Sequence, residues 1–442
     1  MTQAVTQTHF DLSPMRYVGA AAAAPLKQRG AAALIVTMML FFAMVLVAVF
    51  VNRNLVFEQR SSANQYRSTQ AFEAAEAGLE WAQAQLNHSA RIGPDCLATT
   101  DPAASSFRTH YLQHVANTAS FVPVDWNQAG VATALQPSCV RHENGWSCSC
   151  PLNGPPVLAA PGGNRPAPAF TLKFEAGAKP GVVHIVATGC ARLAGACVPG
   201  AAMNADAIAR VHVDLGLIGG LRTLPAAAIT TRGAFDAGVA AIGVHNPDPA
   251  SGIAIHAGGP IAAAQARLGP PAGAALDSAL VGHDAALAAL GEGTFFASYF
   301  GLDKASWKRQ PGVVQLDCAA GCTAALTGTI TSSGNNAMVW IDGDLALSGP
   351  VVVGSPEHPV LIVVNGEARL DGAVQLHGLI YSRSLSWNHT SGPHAALRGA
   401  AISETDYSGD GAPELFYDAG QLARLKAETG SFVRVAGSWR DF

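Results

Sequence analysis

The sequence predicts an α+β protein: one long N-terminal helix, a small β-sheet head, and a large C-terminal β-rich region that reads as a parallel β-solenoid (irregular β-helix). Three observations predict it. Residues 31–51 are an uncharged, mostly apolar run, and the helical pattern continues to about residue 88 without a proline. Residues 170–175 (FTLKFE), 182–188 (VVHIVAT) and 207–217 (AIARVHVDLGL) alternate or run apolar as strands do. After Pro225, β-rich runs of a few residues alternate with Gly, Asn and Asp.

The helix comes first. At about 1.5 Å per residue, the apolar run reaches roughly 31 Å, close to the hydrocarbon thickness of a bilayer. Lys27 and Arg29 precede it, so the positive-inside rule keeps the leader in the cytoplasm and sends the bulk of the chain to the periplasm. A secretory signal has a small-residue cleavage site after its apolar core. Here the small residue, Gly30, stands before it. Cleavage there would remove the basic leader and keep the apolar helix.

That arrangement resembles a type IV prepilin. The stretch from Gln28-Arg29-Gly30 through Glu58, Arg60 and Asn64 to the AFEAAEAGLE segment at residues 71–80 resembles the PilX minor pilins. The resemblance implies cutting after Gly30 by a prepilin peptidase, with Ala31 bearing the new amine. It implies residence in the inner membrane, then assembly with other minor pilins and the major pilin. Leu34, Ile35, Leu40, Phe41, Phe42, Leu46 and Phe50 would line the filament core. In most pilins the fifth residue after the cut is glutamate, which neutralises a neighbour's amine in that apolar core; here it is Ile35. A subunit at the filament end has no earlier neighbour to neutralise, and a large head is tolerated there. The expected place is therefore at or near the pilus tip, beside other minor pilins or a tip adhesin. A signal-anchored adhesin with a carbohydrate-binding solenoid, or a tip pseudopilin of type II secretion, are the alternatives.

Further along the helix, Phe72, Leu79 and Leu86 fall on one side, Arg53, Arg60 and Arg67 form a seven-spaced stripe, and Glu73, Glu76 and Glu80 lie roughly opposite it. These charges read either as a solvated face or as complementary stripes on adjacent subunits. The apolar side needs a sheet to bury it, and the three strands above supply candidates. Between residues 91 and 168 the reading is mostly loop, rich in Pro, Gly and Cys.

All eight cysteines, Cys96, Cys139, Cys148, Cys150, Cys190, Cys197, Cys318 and Cys322, follow the apolar run, on the side where disulfides persist. Cys190 with Cys197 and Cys318 with Cys322 are the local pairs. The other four leave three connectivities, with Cys148 and Cys150 going to different partners. Zinc is disfavoured, because no tetrahedral set at finger spacing occurs.

In the C-terminal region, runs such as AMVWIDGDLALSG and PVLIVVNGEARLDG are too short to bury both faces alone; stacked as rungs they build a core. A sandwich also fits, since no strict period is visible. Two helical insertions are expected. Residues 284–309 carry Phe295, Phe296, Tyr299 and Phe300, read as core packing or as an aromatic docking patch. Residues 418–429 begin with Asp418 as N-cap. The expected boundaries are 1–30 for the leader, 31–88 for the helix, 89–224 for the head and 225–442 for the β-rich region.

Charged residues are 13% of the chain and the formal net charge is −4, which disfavours nucleic acid as a partner. No G-x-S-x-G, H-E-x-x-H or P-loop occurs, and the 14 histidines are scattered, so an enzyme is not expected and no cofactor is implied. One stretch offers cation chemistry. Asp406, Ser408, Asp410 and Glu414 stand at positions 1, 3, 5 and 9 of a calcium-like loop with Gly411 at 6, but position 12 is Tyr417. A polar turn accounts for the same residues.

Overall fold

A computed structural model describes residues 30–441 apart from 116–119, 129, 160, 163–166, 196, 199–203, 205, 240, 319–321, 335 and 390–393. The expected leader up to Arg29 lies outside these residues. The chain forms two compact units, residues 1–63 and residues 64–442. One helix, Gly30–Asn87, spans 58 residues. Its bounds fall within a residue of those the sequence predicts.

In the larger unit, the second half of this helix is buried by a stripe of small residues. Ala71, Ala74, Ala75 and Ala82 are buried, with Leu79 and Leu86 filling the spaces between them. The sheet beneath is antiparallel throughout: Gly430–Arg434, Ile208–Gly219, Val182–Cys190, Ala169–Ala176, Ser138–His142 and Gly145–Ser149 lie in that order. Contact is close enough to exclude a side chain at Gly189, where a Cβ would collide with the Ala71 carbonyl and the Ala75 amide. The alanine-rich segment is thus a packing surface. Phe72, expected on the buried side, instead sits at its margin and packs edge-on against Trp439, centroids 6.3 Å apart.

Residues 91–168, expected to be mostly loop, carry regular structure. A short helix, Phe107–Tyr111, is capped by Ser106, and three hairpins follow: Leu112–Val115 with Ser120–Pro123, Asp125–Gln128 with Val131–Ala134, and Ser138–His142 with Gly145–Ser149. Strands of four or five residues show too few alternations to be read from pattern. Disulfides staple this part. Cys139 joins Cys148, directly opposite it in the ladder, and Cys96 joins Cys150. Cys190–Cys197 and Cys318–Cys322 are the local pairs the spacing suggests.

From Ala227 to Tyr417 every described ladder is parallel, in three faces. The first runs Val313–Asp317, Met338–Asp342, Val360–Asp371, Val374–Asn388, Ala396–Ser403, Ala227–Thr231, Ile253–Ala257, Leu280–Val281. Leu345–Ser348 and Val351–Val353 begin the other two, which end at Ile261–Ala262 and Arg267–Gly269. Stacking order differs from chain order. Residues 227–281 lie beyond residues 396–417, while residues 313–317 stand at the opposite end. The helices Ala285–Ala288, Glu292–Phe300 and Lys304–Lys308 connect the two ends.

These helices are buried, as core packing requires and an aromatic docking patch would not. Phe295, Phe296, Phe300 and Trp307 are at most 1% exposed, and Phe296 and Phe300 meet Tyr381 edge-on. Beside them the fully buried Glu404 accepts from the Tyr381 hydroxyl at 2.5 Å and from Lys304 Nζ at 2.6 Å. Burial first, and then the adjacent Glu404 charge, push the Tyr381 hydroxyl up, which keeps it protonated as a donor.

The last helix, Ala419–Glu428, starts at Asp418, whose carboxylate accepts from the Gln421 amide. Beyond it the chain leaves the parallel stack. Gly430–Arg434, expected with the C-terminal region, becomes an edge strand of the head sheet against Ile208–Gly219. Two side chains hold it there. Asn87 exchanges a pair of bonds with the Phe432 backbone, at 2.9 and 2.7 Å. Arg108 donates to the carbonyls of Leu86, Glu428 and Gly430 at 2.9, 3.2 and 2.8 Å. Leu86 and Glu428 are in the last turns of two helices, where carbonyls are unpaired and the dipole is negative, so this buried guanidinium sits where its charge is offset. Burial lowers the Arg108 pKa to about 10, which still leaves it charged at neutral pH.

Two substitutions test this packing in the detergent-solubilised full chain by chemical denaturation. Gly189→Ala is expected to cost about 1–3 kcal/mol, the usual penalty for overpacking, and an unchanged midpoint would contradict the close contact. Arg108→Met strands three carbonyls, and at about 1–3 kcal/mol for each buried unpaired group it is expected to cost about 3 kcal/mol or more. A loss under about 0.5 kcal/mol, typical of a surface change, would show that the node is unimportant.

Candidate functional site

The candidate site is the first half of the N-terminal helix. Gly30 is its first residue and Ala31 continues it. Residues 32–69 are all exposed. Leu34, Ile35, Leu40, Phe41, Phe42, Leu46 and Phe50 are 56–67% exposed, which no water-facing surface of this length tolerates. An 18-residue window here has a mean hydropathy of 3.0, and it is the one helix among the described residues long and apolar enough to cross a membrane. Composition explains the helix without tertiary help. Alanine, leucine and methionine are strong helix formers, and Thr37 returns its hydroxyl to the Leu34 carbonyl at 2.9 Å. The segment is therefore suited to single-pass anchoring, and any site it forms is a surface for other apolar surfaces.

Past residue 51 the charges divide. Arg53 lies over the Phe57 ring, 5.8 Å from its centroid. Arg67 Nε is 3.8 Å from Asp206, which also pairs with Arg192 at 2.8 Å. The acidic residues expected to face the arginines are partly engaged by the chain's own C-terminal segment. Glu76 accepts from Trp439 Nε1 at 2.6 Å, and Glu80 pairs with Arg434 at 2.7 Å. Glu58, Arg60 and Glu73 make no ion pair among the described residues. The complementary-stripe reading therefore loses two of its three acids. Asn87, Arg434 and Trp439 were not legible as partners, because 345 or more residues separate the tail from the helix end it contacts, and Arg108 bonds carbonyls 320 and 322 residues away.

The calcium-like residues do not converge. Asp406 accepts from the Ala234 amide at 2.6 Å, Ser408 lies on a strand beside Phe235–Asp236, the Asp410 amide donates to Asn388, and Glu414 binds His245 at 2.6 Å and pairs with Arg267. Among the described residues no group of three or more His, Cys, Asp or Glu is arranged to hold a metal ion. His184, His212 and Asp214 form a chain on the outer face of the head sheet. His184 Nδ1 is 2.6 Å from Asp214 and its Nε2 is 3.3 Å from His212 Nδ1. Desolvation first, then the neighbouring His184, hold His212 below the ordinary imidazole value, so it is neutral at pH 7.

No curated protein matches the chain. Among solved structures, the crystal structure of competence-associated pilin ComZ from Thermus thermophilus shares 12% identity over 85% of this chain and 97% of that chain, with a TM-score of 0.20; a likeness at that score carries no argument. Residues 29–80 match the PilX N-terminal family model, a span that holds Gly30, the whole exposed apolar run and the first part of the packing stripe, Ala71 to Leu79. Over residues 29–80 the chain is thus similar to the PilX N-terminal family.

Proposed function

We propose that this chain is a structural, non-enzymatic minor pilin that takes part in priming and assembly of type IV pili. The observation that carries the reading is the exposed apolar helix preceded by Gly30 inside the matched span. In this account the helix first lies across the inner membrane, with Lys27 and Arg29 on the cytoplasmic side and the bulk of the chain in the periplasm. A prepilin peptidase cuts after Gly30. The retained helix is then extracted, and its apolar surface passes from lipid to the helices of other pilins without meeting water. Burying that surface is favourable by about 25 cal/mol per Å² relative to water, so a route from one apolar environment to the other avoids the cost of exposure.

Ile35 supports a place at or near the tip, next to other minor pilins or a tip adhesin. A chain without a carboxylate there cannot neutralise a neighbour's buried amine, and an unpaired charge in an apolar core is costly. The large body at residues 89–442 points the same way. Its all-parallel ladders, stacked in three faces, support reading the C-terminal region as a β-solenoid, which would present broad flat faces to partners.

N-terminal sequencing of the membrane and pilus fractions tests the processing. The expected mature start is Ala31-Ala32-Ala33-Leu34, and Gly30→Leu is expected to retain the leader and abolish incorporation into pili. A mature chain starting at Met1 in cells with active peptidase would overturn the reading, as would a Gly30→Leu chain found in pili. Immunogold labelling of the C-terminal region should decorate filament ends; decoration along the shaft would refute the tip placement.

A further inference from the structure

Just past the apolar run, the N-terminal helix changes composition within a few residues. Residues 52–60 read NRNLVFEQR, and the exposed stretch 52–69 carries Arg53, Arg60 and Arg67 against one acid, Glu58. Arg53 and Arg60 stand seven residues apart, so they share one side of the helix, about 10.5 Å apart along its axis. Phe57 lies between them on that side, and the Arg53 guanidinium is 5.8 Å from its ring centroid.

Neither guanidinium is neutralised within the chain. Arg53 and Arg60 make no ion pair among the described residues, whereas Arg67 faces Asp206 at 3.8 Å. Glu58 follows Arg53 by five residues and precedes Arg60 by two, and only spacings of three or four bring helix side chains together. Both charges are open to an outside partner. The side chains beside them are apolar, with Leu55, Val56 and Phe57 46–62% exposed. A partner for this face must therefore offer negative charge and apolar surface together.

Position selects the partner. Arg53 lies about 3 Å past Val51 along the axis and Arg60 about 13.5 Å. The polar layer of a bilayer extends about 5–8 Å beyond the hydrocarbon on each side, so Arg53 stands within it and Arg60 just outside it. Helix side chains tilt toward the N-terminus, which is the membrane side of this segment, so both guanidiniums lean back toward the lipid phosphates. A phospholipid meets both requirements, with phosphate for a guanidinium and acyl chain for the apolar neighbours. An inorganic anion would leave the apolar side chains in water.

We propose that Arg53 and Arg60, with Phe57 between them, dock an anionic phospholipid in the leaflet from which the helix emerges. The inference rests on the reading of the apolar run as a membrane span, and adds a lipid partner that fixes the depth of the subunit before assembly.

Two measurements on the full chain separate the readings. Flotation with neutral phosphatidylcholine vesicles reports the membrane span alone. Native mass spectrometry in a non-ionic detergent, with phosphatidylglycerol or phosphatidylcholine added, reports the headgroup. Phosphatidylglycerol is expected to bind at least about fivefold more tightly, the factor that corresponds to about 1 kcal/mol per arginine. Arg53→Gln and Arg60→Gln are each expected to weaken phosphatidylglycerol binding by about fivefold and to leave phosphatidylcholine unchanged. Both positions are exposed, so these variants keep the fold. Arg67→Gln, sixteen residues past Val51 and facing Asp206, is expected to have no effect. A chain that floats without preferring phosphatidylglycerol would overturn this inference and leave the membrane span standing; a chain that does not float would overturn both. An equal loss in Arg67→Gln would reveal a diffuse charge effect and contradict the proposal. So would loss of co-purifying pilins from Arg53→Gln with phosphatidylglycerol binding intact, which would assign the face to an acidic protein surface.

Discussion

The larger unit depends on how its last strand is returned to the head. Gly430–Arg434 completes the antiparallel sheet only because Asn87 bonds both polar groups of Phe432 and Arg108 joins the ends of two helices to the strand that follows one of them. Each of these groups is buried, so each bond, once made, is expensive to break. Through that node the parallel stack is inserted within the head sheet, between its strands Ile208–Gly219 and Gly430–Arg434. It does not hang from it by a linker. A pull on the helix end is therefore transmitted to the sheet and to the last helix of the stack by hydrogen bonds.

The N-terminal helix divides its chemistry along its length. Its first half has exposed apolar side chains on every side among the described residues; its second half has small residues on one side and charge on the other. Alanine at 71 and 75 allows backbone to approach backbone over Gly189, where larger side chains would hold the elements apart. The charged side is tethered by the tail through Glu76 and Glu80. An exposed ion pair such as Glu80–Arg434 and a single exposed hydrogen bond contribute little alone, so the tail is fixed mainly by the strand that precedes it.

Much of this was legible from local pattern. The helix from Gly30 to Asn87, the three long head strands, the local disulfides and the Asp418 cap all follow from signals that lie within about a dozen residues of each other. What escaped was non-local. Gly430–Arg434 reads as a strand of either region until its partner is known. The hairpins between residues 112 and 149 are too short to show alternation, and the pairing of Cys96 with Cys150 joins residues 54 apart. The stacking order, with residues 227–281 placed beyond residues 396–417, carries no mark in a linear reading, because parallel strands of similar composition fit more than one neighbour. Of the candidate site, the apolar run and Gly30 were evident, whereas the engagement of Glu76 and Glu80 was invisible without Trp439 and Arg434 in place.

Native-state hydrogen exchange of the full chain, read by mass spectrometry, tests the coupling most directly. If the returned strand locks the body to the helix, peptides covering residues 82–87, 208–219 and 430–434 exchange with one common protection, and Asn87→Ala lowers all three together. Fast exchange of 430–434 beside fully protected 208–219 and 82–87 would contradict it.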